Sequence, residues 1–205
     1  MAGSGDGAVE RAPWVALALA AVAVALTLIA TVDGPGLTDD SVNYLSTGAN
    51  VADGRGWVML ADQPLTIFPP GLPAIVAAGE VVGATGQTTL RLLSALSFGG
   101  IVVFGGALVR RATSRTGIVT AATALLALSP ALLGISTMAW SEPLFIVVVL
   151  LFLLRLDDVL ERRSFGTADV LVLASLASLA FLVRYIGVAL VVLAGLAVLV
   201  ALRPL

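Results

Sequence analysis

The chain has 205 residues, of which 59% are hydrophobic and only 12% charged, and its formal net charge is −2. Soluble domains are nearer half apolar and about a quarter charged, so the composition puts this chain in the membrane class. With no Cys and no His, disulfides and thiolate metal sites are excluded. Acid–base chemistry is left to Asp, Glu, Tyr and Arg, and no basic patch interleaved with aromatics suggests nucleic acid as a partner.

Residues 1–12 read as a disordered cytoplasmic lead, and 13–205 as one transmembrane domain. The first apolar run, Pro13 to Val32, is long enough to span a bilayer, which takes about 20 mostly apolar residues. It is too long for a signal-peptide core, so an uncleaved anchor is expected. A polar loop follows from Asp33 to about Thr89. Within it, Thr38 is a plausible N-cap with Asp39 and Asp40 in the first helical turn. Val42, Leu45, Ala49 and Ala52 then share a face, as in a short amphipathic helix lying on a membrane surface. "DGRG" ends that helix, and "FPPGLP" opens a second short apolar segment. Further spans are expected near Arg91–Val109, Gly117–Ile135 and Pro143–Leu156. The tract from Ala168 to Leu202 is interrupted by "RYIG" at Arg184 to Gly187, which splits it in two. The expected fold is all-α and polytopic, with about six transmembrane helices and two interfacial helices in the first outer loop.

Arginine sets the orientation. Arg11, Arg110, Arg111, Arg115, Arg155, Arg162, Arg163 and Arg203 would lie inside, and Arg55, Arg91 and Arg184 outside. The loop 33–89 with its acids is then extracytoplasmic, the N-terminus is cytoplasmic, and a multi-pass protein of the plasma membrane is expected.

Several residues suit chemistry as well as structure. Asp39 and Asp40 complement a helix dipole, and equally suit a general base or a metal-binding carboxylate. Adjacent helical positions point about 100° apart, so the two acids need not share a role. Glu142, in "MAWSEPLF", is a first-turn acid behind the N-cap Ser141, or a second carboxylate on the same side. Arg184 and Tyr185 are an interfacial anchor pair or, through the guanidinium, a seat for an anionic ligand. Arg55 and Arg91 are weaker candidates of that kind, more simply solvated at the surface, and Tyr44 and Trp57 are interfacial aromatics.

Taken in order, "TDDSVNYLSTGANVADGRGW", "PLTIFPPGLPAIVAAG", "SEPLF" and "RYIG" resemble the N-terminal part of the GT-C membrane glycosyltransferases that use polyprenyl-phosphate sugars. Bacterial protein O-mannosyltransferase and aminoarabinose-transferase relatives are the nearest likeness. The resemblance implies sugar transfer from a polyprenyl-phosphate donor to an acceptor hydroxyl on a protein, lipid or glycan, at the outer face and with inversion. It implies Asp39 or Asp40 as catalytic base and substrate contacts from Tyr44, Glu142, Arg184 and Tyr185. A divalent cation (Mg, Mn or Ca) would be held by Asp39, Asp40 and Glu142. Membrane lipids are expected partners, and nucleic acid is not. Family members are longer, so this chain would correspond to their N-terminal portion. The rival classes are a transporter segment, opposed by the lack of internal two-fold similarity, and a non-catalytic membrane scaffold.

Overall fold

The computed structural model describes residues 6–162 and 166–201. Residues 1–5 of the expected lead, together with Arg163 and Arg203, lie outside them. The described residues form helices α1 (Asp6–Ala30), α2 (Asp39–Ala52), α3 (Gly71–Val81), α4 (Gly86–Ala112), α5 (Thr116–Ala127), α6 (Pro130–Ser136), α7 (Glu142–Arg162), α8 (Thr167–Val183) and α9 (Val188–Ala201). The last two are joined by a 3-10 turn at Tyr185–Gly187.

Helix starts follow local chemistry. The Thr85 hydroxyl accepts from the Thr88 amide at the head of α4, and the Ser129 hydroxyl accepts from the Leu132 amide at the head of α6. Each satisfies a backbone donor that the helix cannot pair internally. Pro130 follows Ser129 at the first position of α6, where its missing N–H costs nothing.

The long helix α4 is the hub. It packs on α1, α5 and α7, while α3 and α6 close around its flanks. Phe98 and Val102 of α4 meet Ala20 and Ala23 of α1 and Ala127 of α5 in one buried cluster. A second joins Val148, Phe152 and Leu156 of α7 to Leu173, Ala177 and Ala180 of α8. A third joins Tyr44 of α2, Leu72 and Val76 of α3, Leu90 of α4, and Ala139.

The six-span expectation is overturned. Among the described residues one helix, Gly86–Ala112, is long and apolar enough to cross a membrane, or two if the bent pair α5–α6 counts as one span. The physical reasons are local. Thr167–Val183 has 17 residues, fewer than the roughly 20 that a span takes. α7 is longer, but Arg155, Asp157 and Asp158 crowd its second half. The expected third span breaks before Pro130 with a bend of 44°. The polytopic fold class and the multi-pass plasma-membrane placement with an inside N-terminus therefore do not stand.

The outer-loop helices also differ from expectation. α2 does not present Val42, Leu45, Ala49 and Ala52 as its packing face. It buries Ser41, Tyr44, Thr47, Gly48 and Asn50 and lies along α3. Gly48 permits this, because a side chain there would collide with Val76. Small residues bring the two helices close, which moves the inward face away from the one that hydropathy marks.

Charge is confined to the two ends of the bundle. The sequence between Arg91 and Arg110, between Glu142 and Arg155, and between Asp169 and Arg184 carries no charged residue. Asp39, Asp40, Glu142 and Arg184 sit at one end. Arg111, Arg155, Asp157, Asp158, Arg162 and Asp169 sit at the other, joined by ion pairs.

Candidate functional site

At the first end a cleft of about 230 Å³ opens between three chain segments. α2 supplies Asp40 and Tyr44, the segment before α3 supplies Ile67 to Pro69, and the break between α8 and α9 supplies Val183 to Ile186. The break has a clear cause. Arg184 adopts an extended conformation that ends α8, and the short 3-10 turn re-starts the chain toward α9.

Arg184 is half-buried and anchored on one side. Its Nη1 lies 2.6 Å from Glu142 Oε1 and donates to Ser141 Oγ at 2.9 Å. Both contacts use the same nitrogen, whereas a guanidinium carries five N–H donors. The carboxylate therefore holds the group in place without exhausting it.

Tyr44 is buried and packs edge-on to Phe68, with ring centroids 5.0 Å apart. Burial pushes its phenol above the ordinary value; the Ser141 hydroxyl and Arg184 oppose that, and Asp40 and Glu142 add to it. Tyr185 donates to the Phe68 carbonyl at 3.2 Å, which ties the segment before α3 to the α8–α9 break.

The acid pair is divided. Asp40 lines the cleft. Asp39, the adjacent residue, does not; its backbone carbonyl accepts from the Asn43 side chain. One helical step rotates it away. The cleft thus brings Asp40, Tyr44, Arg184 and Tyr185 together, with Glu142 behind Arg184. The expected metal trio of Asp39, Asp40 and Glu142 is not assembled: among the described residues no group of three His, Cys, Asp or Glu is placed to hold a metal ion.

Other candidates have different work. Arg55 pairs with Asp53 at the surface, at 2.8 Å. Arg91, expected to be solvated, donates to the Thr31 hydroxyl at 3.1 Å and to the Leu28 carbonyl at 2.8 Å. It satisfies the Leu28 carbonyl in the last turn of α1, where a cation also suits the helix dipole. Ser141 and Phe68 were not singled out for chemistry by the sequence. A hydroxyl one residue before Glu142 was legible only as an N-cap, and Phe68 only as part of a rigid Pro-rich break.

No family model matches the chain, and neither the curated proteins nor the solved structures provide a match. The resemblance to GT-C glycosyltransferases is overturned by the span count: one or two helices able to cross a membrane among the described residues do not make that many-span scaffold. The reading of extracytoplasmic sugar transfer from a polyprenyl-phosphate donor falls with it.

Proposed function

We propose that the cleft binds a small molecule carrying an anionic group. The observation that carries this reading is the meeting of Asp40, Tyr44, Arg184 and Tyr185, from segments far apart in sequence, around one opening. Arg184 is the seat for the anion, because a guanidinium offers paired donors to phosphate-like oxygens.

Binding tests this before any substrate is known. Sulfate, titrated by calorimetry or by NMR, is expected to bind the whole chain, and Arg184→Gln to weaken it at least about tenfold, the loss of a charge-assisted contact. Wild-type protein that ignores sulfate, or Arg184→Gln protein that binds as well as wild type, overturns the assignment.

A second observation favours lipid acyl chains as a partner. Leu171, Leu182, Val192, Leu196 and Leu199 of α8 and α9 are exposed, on a stretch of each helix that carries no charge. Apolar surface of this extent marks an interaction site. Flotation with phosphatidylcholine–phosphatidylglycerol vesicles is expected to carry the protein upward, and Val192→Glu with Leu196→Glu to reduce it. Protein that stays monomeric at the bottom of the gradient sinks this partner.

A further inference from the structure

The segment between α6 and α7, residues 137–141, touches both halves of the cleft. On one side it holds the chain leading into α2. Gly36 N–H donates to the Thr137 carbonyl at 2.8 Å, and Ala139 N–H donates back to the Gly36 carbonyl at 2.9 Å. The two strands pair here in a single parallel bridge, Gly36 with Met138. Any side chain at position 36 would collide with Met138. Two residues on, the Trp140 indole Nε1–H donates to Thr38 Oγ1 at 2.9 Å across 102 positions of sequence. On the other side, Ser141 and Glu142 hold Arg184. Beneath it, Ser94 of α4 donates to the Met138 carbonyl at 3.5 Å.

Thr38 is the residue that starts α2. Its carbonyl accepts from the Val42 amide at 3.0 Å, its amide donates to Ser41 Oγ at 3.1 Å, and its hydroxyl lies 3.2 Å from that same oxygen. A threonine hydroxyl in this position is ordinarily free to cap or to turn to water. The indole removes that freedom: Oγ1 is fixed by a donor belonging to the segment that carries Glu142. The first turn of α2, with Asp40 on its cleft side, is thereby referenced to the seat of Arg184 and not merely to its own helix.

We infer that Trp140 is a positioning residue that sets the carboxylate of Asp40 relative to the Glu142–Arg184 pair, acting through the Thr38 hydroxyl. The inference rests on the reading of the cleft as an anion site. It goes beyond that reading in assigning the alignment of its acid to a residue outside the cleft. A binding site works only when its groups are held closely in place by the residues behind them, so this hydrogen bond matters most for alignment.

The test uses sulfate on the full chain. A carboxylate near a bound anion repels it, so Asp40→Asn is expected to tighten sulfate binding about threefold.

Trp140→Phe and Thr38→Val are expected to lose that repulsion and to bind sulfate as Asp40→Asn does, and adding Asp40→Asn to Trp140→Phe is expected to change nothing further. Thr38→Ser, which keeps the hydroxyl, is expected to follow wild type. Hydrogen exchange at the Val42 amide gives a readout independent of sulfate, with about fivefold faster exchange expected in Trp140→Phe, the share of one net hydrogen bond. A Trp140→Phe protein that binds sulfate as wild type does, and that still responds to Asp40→Asn, overturns the inference. Should wild type fail to bind sulfate, the anion reading falls. The Val42 amide then decides the rest: unchanged exchange overturns the link from Trp140 to α2, and faster exchange confined to the first turn upholds it.

Discussion

Asp169 and Glu142 both pair with arginine, at opposite ends of the bundle and in opposite settings. Asp169 is buried and accepts from Arg155, from Arg162 at 2.9 Å and from the Gly166 amide at 2.9 Å. It fastens the start of α8 to α7. Glu142 is half-exposed and meets one arginine, whose remaining donors lie beside an open cleft. A carboxylate with its oxygens fully engaged is a fastener. One that holds an arginine by a single nitrogen leaves charge over for something else. Ion pairing in itself does not mark a functional site; the difference lies in what the partner still has to offer.

Removing each acid sharpens that contrast. Asp169→Asn is expected to have the largest effect on stability, because two partly exposed arginines lose their shared counter-charge. A fall in Tm of about 2–5 °C is expected for a loss of this kind, with sulfate binding intact. The pH dependence has a definite sign. The Gly166 amide first, and Arg162 next, hold the Asp169 carboxyl below the usual carboxylate range. A depressed folded value means stability that is present above the unfolded value and is lost as pH falls through the folded one. Thermal melts of wild type should weaken on acidification below about pH 4, and Asp169→Asn should flatten that part of the curve. An equal slope in both proteins would remove Asp169 from the role of fastener.

Glu142→Gln is expected to do the reverse. A half-exposed pair contributes about 0–1 kcal/mol, so the melting temperature should hardly move. The guanidinium, relieved of its counter-charge, should bind sulfate about threefold to tenfold more tightly. Weaker binding in this variant would mean that Glu142 aligns Arg184 more than it neutralises it.

Much of this architecture was legible in the sequence. The apolar runs are separated by Pro-, Gly- or Arg-bearing breaks, and helices occur near the places those breaks mark: "DGRG" closes α2, "FPPG" opens α3, and "RYIG" divides α8 from α9. Hydropathy misled where it counted residues without their ends. α7 is apolar in its first half and charged in its second, and Pro130 cuts what looked like one helix. Asp40, Tyr44, Arg184 and Tyr185 could be named singly, since charge and aromatic groups stand out in an apolar chain. Their convergence could not be named. Neither could the contact of Trp140 with Thr38, because it joins distant segments and leaves no local pattern. Asp169 gave no signal either: an acid at the head of a helix looks the same whether it faces water or two arginines.

The smallest expected effect belongs to Tyr185→Phe. The hydroxyl donates to the Phe68 carbonyl at 3.2 Å and reaches the Thr66 carbonyl at 3.5 Å, and the residue is 43% exposed. Its ring stays packed near Phe181 without the hydroxyl, with centroids 5.5 Å apart. An exposed bond exchanged for water is worth about 0.5 kcal/mol, so a shift in Tm of about 1–2 °C is expected. Sulfate affinity should change by less than about twofold, the equivalent of that loss, because the hydroxyl is engaged by the segment before α3 and not by the anion. A tenfold loss of affinity with unchanged Tm would instead place the Tyr185 hydroxyl on the ligand. The seat of the anion would then be built from Arg184 and Tyr185 together, and the contrast between the two ends of the bundle would grow by one residue.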